Sequence, residues 1–209
     1  MIAVVEPSGS EREAADRIRD AMDRRARTNF LPTEALRAAA EDRPLPIGHG
    51  QTNSQPSTVA AMLRLLDVRP GQRVLDVGSG SGWTTAVLGD LVGPDGAVTG
   101  VERVPDLVRG SRSALAAQRS AGRPMDWADV RQATEGILGA PDLGPFDRIL
   151  VSAEAAEVPD ALIDQLTAAG VMVVPVRGDM LRIVRTGPHR DDRTVTRHGS
   201  FRFVPLIED

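Results

Sequence analysis

Residues 73–83 read R-V-L-D-V-G-S-G-S-G-W. A short apolar run ends at Val77, Gly78, Gly80 and Gly82 alternate with Ser79 and Ser81, and a second apolar run follows. Glycine lets a backbone approach a ligand closely and take turns that other residues resist. Two ligands compete for such a turn. A dinucleotide fingerprint, G-x-G-x-x-G, sets a pyrophosphate on a helix N-terminus. Here the spacing is G-x-G-x-G, and the indole of Trp83 stands where the third fingerprint glycine would pack. Asp76, two residues before the first glycine, would repel a pyrophosphate but can accept from an ammonium, such as that on the methionine half of S-adenosylmethionine. Glu102 lies 20 residues beyond Gly82 at the end of the next apolar run. An acid there can accept from both hydroxyls of a ribose. The turn therefore points to S-adenosylmethionine, with Asp76, Gly78, Ser79, Gly80, Gly82, Trp83 and Glu102 around it. The plainer readings are a turn-capping Asp76 and a solvated strand end at Glu102.

Composition removes other chemistries. Cysteine is absent, which excludes disulfides and thiolate metal sites and suits a cytoplasmic location. All 25 Lys-or-Arg positions are arginine, and tyrosine is absent. A lysine Schiff base, a Walker-type lysine and a tyrosine acid are thereby ruled out. His49, His189 and His198 are scattered, so no metal site is expected. The net charge of −4 is spread over mixed signs with no basic stripe, so no nucleic-acid partner is expected. No apolar run approaches the ~18–20 residues of a bilayer span, and the N-terminus lacks the basic and apolar regions of a signal peptide. No membrane partner is expected either.

The elements that must hold these residues can be read from periodicity. Residues 1–9 read as loose. Ser10 opens S-E-R-E, a capping-box pattern, with Ala14, Ile18, Ala21 and Met22 following at helical spacing. Arg24, Arg25 and Arg27 read as a solvated face. F-L-P-T-E-A-L-R-A-A-A suggests a second short helix. E-D-R-P-L-P-I-G-H-G-Q-T-N-S-Q-P, with three prolines and two glycines, reads as an irregular loop. A helix is predicted from about Pro56 to Leu66, with proline suited to its first turn. From residue 73, strands and helices alternate: R-V-L-D-V, then the helix from Trp83, A-V-T-G-V-E, a helix over 105–119, D-V-R-Q-A, F-D-R-I-L-V-S, the helix P-D-A-L-I-D-Q-L stopped by Gly170, and G-V-M-V-V-P-V. The closing segments D-M-L-R-I-V-R-T and T-V-T-R-H-G-S-F-R-F-V-P-L flank G-P-H-R-D-D as a hairpin. This order implies an α/β fold, a doubly wound and mostly parallel seven-stranded sheet with an antiparallel C-terminal hairpin and an N-terminal helical extension. The expected organisation is one domain over 1–209, with helices and a loop in 1–70 and the ligand-binding α/β core in 71–209. Trp127 reads as packing.

D-x-G-x-G-x-G with a strand-ending acid resembles the signature of class I, Rossmann-like methyltransferases. Residues 41–63 make the resemblance more specific. P-L-P-I-G-H-G-Q-T-N-S-Q-P is similar to the loop of protein-L-isoaspartate O-methyltransferases, written around P-x-x-I-G-x-G-Q-T-I-S-x-P. F-L-P upstream, G-V-E-R, F-D-R-I-L-V-S-A, L-I-D-Q-L, V-V-P-V and the terminal F-R-F-V-P-L follow in the expected order, so the likeness spans about 28–206. The resemblance implies methyl transfer from S-adenosylmethionine, leaving S-adenosylhomocysteine, to the carboxylate of isoaspartyl residues in damaged proteins or peptides. It implies Ser54 as the active-site residue, Thr52 and Ser54 as bonding the substrate carboxylate, and Glu102 and Arg103 beside the nucleoside. Thr134 and Glu135 fall where the family carries an acid near the adenine amine, although a surface acid fits Glu135 equally. Ser54 could instead cap the helix at Pro56. His49 lies in the loop and could touch substrate or make a structural hydrogen bond. Asn53 and Gln55 replace an apolar and a small residue, and Ser152-Ala153-Glu154 replaces T-A-A. His49, Thr52, Asn53, Gln55 and Ser152 are the candidate substrate contacts.

The chemistry agrees with an oxygen acceptor. A carboxylate is ionised at neutral pH and needs no general base to attack a sulfonium methyl. What it needs is alignment and exclusion of water, for which neutral hydroxyls are well suited. Two alternatives stand beside repair: a relative that methylates aspartate in one dedicated peptide, and a cofactor-binding regulatory protein without turnover. The sequence says nothing of oligomeric state.

Overall fold

The structure, a computed structural model, describes residues 9–207. The expectation of a loose segment at 1–9 falls almost wholly outside them. Helix α1 (Gly9–Arg24) starts one residue ahead of Ser10, which therefore lies inside the first turn. Its buried Ile18 and Ala21 pack into one core cluster with Leu63 and Leu91. Where a short helix was expected over F-L-P-T-E-A-L-R-A-A-A, a 3-10 turn occurs at Thr33–Ala38, and another, Arg27–Phe30, leads into it.

The stretch read as an irregular loop is ordered as an antiparallel hairpin, β1 (Leu45–Gly48) and β2 (Gln51–Asn53). Its tip is a run of left-handed backbone, Gly48, His49 and Gly50, at φ of 89°, 54° and 70°. The same glycines that argue against regular structure make so tight a reversal possible. Helix α2 (Pro56–Leu66) matches its predicted span, burying Val59, Met62, Leu63 and Leu66 on one face.

The main sheet has seven strands. They are β3 (Arg73–Val77), β4 (Ala97–Glu102), β5 (Ala128–Gln132), β6 (Phe146–Val151), β7 (Leu166–Val176), β8 (Asp179–Arg185) and β9 (Arg193–Ser200). They lie in the order β5-β4-β3-β6-β7-β8-β9, parallel as far as β7 and antiparallel across β7–β8 and β8–β9. Side chains alternate across a strand, so residues of the sheet divide between two cores. Val74, Leu150 and Val173 face α1, α2, α3 (Trp83–Val92) and α4 (Pro105–Ser120). Leu75, Ile149 and Met172 face the other way, toward Phe146, Leu162 and Ile163.

Cover on that second face is thin. Helix α5 (Asp160–Ile163) is only four residues long, and β7 already begins at Leu166, so the predicted helix P-D-A-L-I-D-Q-L is realised only over Asp160–Ile163 and gives way to strand before Gly170. Leu162, Ile163 and Leu166 are all buried, a density of apolar contacts that a strand satisfies as well as a helix. The chain winds outward from β3 to β5, then crosses back to β6 on the opposite side of β3. The carboxyl ends of β3 and β6 thus form the switch point at which open α/β sheets bind ligands. Among the described residues no helix is long and apolar enough to cross a membrane.

Candidate functional site

At the switch point the glycine turn is fastened from several sides. The N–H groups of Gly78 and Ser79 both donate to the Val101 carbonyl, at 2.9 and 3.1 Å, and the Ser152 N–H donates to the Val77 carbonyl at 2.8 Å. Gly78, Gly80 and Gly82 all hold positive φ, at 78°, 53° and 83°. Two of them also answer to neighbours. A Cβ on Gly80 would stand 3.2 Å from Ile47 of the β1–β2 hairpin, and one on Gly82 would stand 2.9 Å from Ser111 Cβ of α4. Gly82 therefore serves the approach of α4, while Gly78 and Gly80 line a cavity.

That cavity, about 560 Å³, spans the carboxyl ends of the central strands. Its size is that of a small-molecule site. Glu102 lies at its wall with a fixed orientation, Oε2 accepting from Gly80 N–H at 3.0 Å and Oε1 from Val104 N–H at 2.8 Å. Each oxygen keeps a second lone pair for a ligand hydroxyl. Arg103, Thr134 and Glu135 line the same space, and Gln132 Nε2 donates to the Arg103 carbonyl at 2.6 Å. Ile137 and Leu138 add an apolar wall. An acid held for hydroxyls, backbone exposed at two glycines and an apolar flank fit a nucleoside such as that of S-adenosylmethionine.

Asp76 is placed differently from the sequence reading. It is 0% exposed, behind the turn, and does not line the cavity. Thr85 Oγ1 donates to its Oδ2 at 2.7 Å, whereas Oδ1 is buried without a hydrogen-bond partner. Burial pushes the carboxyl up to about 7, the Thr85 bond opposes this, Glu102 nearby adds to it, and the Ser152 hydroxyl favours the charged form. Ser152 sits close but makes no bond of good geometry to it. Direct reception of an ammonium, as read from the sequence, would require the turn to open. Ser79 is also buried, its hydroxyl unpartnered. Trp83 does not line that cavity. It is buried in the core, its Nε1 donating to the Arg25 carbonyl at 2.8 Å.

A second space, a groove of about 600 Å³, adjoins the first. Thr52, Ser152 and Val204 line both. Ser54 and Gln55 line the groove from the hairpin side. The residue preceding α2 is Gln55, whose own side chain makes no cap; the first turn is satisfied instead by Asp42 Oδ1, which accepts from Ser57 N–H at 2.9 Å. The capping alternative for Ser54 is thus not realised. Gln55 Nε2 donates to Asp42 Oδ2 at 3.0 Å, and this bond, with that from Ser57, holds the Asp42 carboxyl below its ordinary range.

Two expected substrate contacts point elsewhere. Asn53 is buried, its Oδ1 accepting from Arg27 Nε at 2.6 Å and its Nδ2 donating to Ser81 Oγ at 3.0 Å. It ties the hairpin to the glycine turn and does not line the groove. His49 Nε2 lies 3.2 Å from Asp106 at the start of α4, the structural alternative of its two readings.

The sequence reading missed Arg27. Taken as part of a solvated face, it is only 6% exposed. Its guanidinium donates to the carbonyls of Glu41, Arg43, Asn53 and Ser54 at 3.1, 2.9, 3.0 and 2.9 Å and stacks 5.6 Å from the Trp83 ring centroid. Burial lowers its pKa. Arg25 is buried as well, 2.6 Å from Asp90, and only Arg24 keeps an exposed side chain. The C-terminal segment was also missed as a wall: beyond the end of β9, Val204 accepts from Glu154 N–H at 2.8 Å and Leu206 N–H donates to the Glu154 carbonyl at 2.7 Å. This bridge lays residues 204–207 along the cavity and residues 200–204 along the groove. Among the described residues no group of three or more His, Cys, Asp or Glu could hold a metal ion.

Comparison with known proteins follows the same lines. The family model of protein-L-isoaspartate(D-aspartate) O-methyltransferase matches residues 3–209. A protein-L-isoaspartate O-methyltransferase of Methanothrix thermoacetophila is 43% identical over 92% of this chain and 89% of its own. Another, of Methanopyrus kandleri, is 42% identical over 92% of this chain and 84% of its own. A solved structure from Plasmodium falciparum, described as such a methyltransferase in complex with S-adenosyl-L-homocysteine, is 27% identical with a TM-score of 0.78, covering 95% of this chain and 94% of that one.

Proposed function

The chain belongs to the protein-L-isoaspartate(D-aspartate) O-methyltransferase family, and on that premise we propose how its own residues carry out methyl transfer to isoaspartyl proteins and peptides. S-adenosylmethionine occupies the cavity lined by Gly78, Gly80, Glu102 and Glu135. When bound, it supplies an electrophilic methyl on a sulfonium. Glu102 accepts from the ribose hydroxyls, and Arg103, Thr134 and Glu135 surround the base.

The isoaspartyl peptide lies in the adjoining groove. Its acceptor carboxylate reaches the cavity where Thr52 and Ser152 line both spaces. Thr52 and Ser54 donate to that carboxylate and hold one oxygen in line with the methyl. An O–C bond forms as the S–C bond breaks, and no proton moves. Neutral donors orient the nucleophile without pairing it so strongly that its lone pair is withdrawn. The observation that carries the reading is the meeting of the two spaces at Thr52, Ser152 and Val204. Cofactor and peptide can approach from different sides and touch at that point. Among the departures from the family loop, Asn53 turns inward to Arg27 and Ser81. Its side chain does not line the groove, whereas Gln55, the other departure in the loop, does.

The test uses labelled S-adenosylmethionine with a matched peptide pair, one isoaspartyl and one aspartyl. Label should appear as a base-labile ester on the isoaspartyl peptide alone. Equal labelling of both would remove the repair reading, and cofactor binding without transfer would favour a regulatory protein. Ser54→Ala should lower kcat by about 10- to 100-fold, the loss of one or two oriented contacts, with cofactor affinity retained. Full activity in that variant would remove Ser54 from the site.

A further inference from the structure

The groove that Ser54 lines carries one charged side chain among the described residues. Residues 200–204 read S-F-R-F-V, and Phe201 and Phe203 are half-buried against the core while Arg202 between them is exposed. Arg202 is the one ionisable residue lining the groove among the described residues. It makes no hydrogen bond or ion pair to any of them. Two acids near the groove are already engaged. Asp42 accepts from Gln55 and Ser57, and Asp179 is paired with Arg197. The backbone beneath Arg202 is held, Phe201 N–H donating to Gly178 at 2.8 Å and Val204 accepting from Glu154. A guanidinium on a fixed backbone, facing a groove and left without a partner, is built for a planar anion.

We propose that Arg202 is a specificity-determining residue that receives a second carboxylate of the peptide substrate, one or two residues away from the isoaspartate. The proposal rests on the peptide lying in this groove. The spacing follows from the chain: Val204 marks the junction with the cofactor cavity, and Arg202 is two residues back, at most about 7 Å along the wall. A peptide crossing the groove brings its first or second neighbouring residue to that distance. The carboxylate comes from an Asp or Glu side chain or from a chain end, and either satisfies the same fork of donors.

The experiment compares isoaspartyl peptides carrying Glu, Gln or Lys at each of the two positions before and after the isoaspartate, together with free and amidated C-termini. Wild type should favour Glu over Gln at one of these positions by about two- to fivefold in kcat/KM, the range of a partly exposed ion pair. That preference should shrink with salt. Arg202→Gln should abolish it, and Arg202→Glu should turn it toward Lys. An advantage for the free C-terminus alone identifies the chain end as the source; one for internal Glu identifies the side chain. Identical Glu, Gln and Lys ratios in wild type and Arg202→Glu, with the variant folded by thermal melt, would overturn the assignment while leaving methyl transfer intact. Absence of transfer to every isoaspartyl peptide would instead refute the proposed reaction.

Discussion

Burial raises the Asp76 carboxyl to about 7, far above the range near 3.9 of an unfolded aspartate. The folded chain therefore holds a proton there that the unfolded chain has lost, and the cost of this group grows as pH rises from about 4 to about 7, then stays level. Asp76→Asn keeps an acceptor for Thr85 and removes the ionisation. The ligand-free variant should gain stability over wild type across that window, with a constant difference above it, as read by denaturant midpoints at a series of pH values. A difference that does not grow between about pH 4 and about pH 7 would contradict the burial of charge. Ligand binding reverses the balance. A cation in the adjoining cavity favours the ionised form, and S-adenosylmethionine carries a sulfonium that S-adenosylhomocysteine lacks. Its affinity relative to the product should therefore rise from about pH 6 to about pH 8, a trend that calorimetry should find flattened in Asp76→Asn. An equal pH dependence for both ligands would show that Asp76 does not sense the sulfonium. At this scale the sequence was a good guide to identity and a poor one to aim. Asp76, Glu102 and the glycines were recognisable from type and spacing, yet it takes the folded chain to set Glu102 in the cavity wall and Asp76 behind it.

Among the elements, the β1–β2 hairpin depends most on a residue outside itself. Arg27 satisfies carbonyls at four positions between Glu41 and Ser54, in a stretch too short and too rich in proline to satisfy them alone. Arg27→Met leaves these acceptors, the Asn53 carbonyl and Oδ1 among them buried, without that donor. It should cost about 2–4 kcal/mol in urea unfolding and raise KM for peptide more than it weakens cofactor binding. Arg27→Lys keeps the charge but not the planar fork. It should recover part of the stability and little of the KM. Full recovery of both by lysine would mean that charge, not geometry, holds the hairpin. None of this was legible beforehand, because R-R-A-R carries no periodic signal that separates a buried arginine from a solvated one. The strands from β3 to β8, by contrast, were readable from their apolar runs and turn residues. The early end of the helix before β7 was not, since Leu162, Ile163 and Leu166 suit either periodicity.

At the scale of the whole molecule, the doubly wound order follows from alternating strands and helices, and the antiparallel end from the polar turn before β9. What sequence could not supply is that the chain returns after β9 to wall two spaces at once. F-R-F-V-P-L reads as more strand, but pairing ends at Ser200 and the segment crosses to Glu154 instead. Deleting residues 201–209 spares every strand of the main sheet. It should leave far-UV circular dichroism close to wild type, weaken S-adenosylmethionine by about tenfold or more, equivalent to roughly 1.4 kcal/mol, and abolish methyl transfer. Unchanged cofactor affinity would show that residues 204–207 are no part of its wall. α1, packed on α2 and α3 through Ile18 and Ala21, lies on the helical face and not over the cavity, so it forms no lid.

The pinning of Asn53 bears on chemical ageing. Asparagine followed by a small residue is prone to attack by the next backbone nitrogen on its side-chain amide, the rearrangement that generates isoaspartate. Ser54 is such a neighbour. Held at one end by Arg27 and at the other by Ser81, the Asn53 amide cannot swing onto the Ser54 nitrogen without breaking both bonds. A member of the isoaspartate methyltransferase family thus carries the susceptible dipeptide inside its own loop and holds it there by two hydrogen bonds.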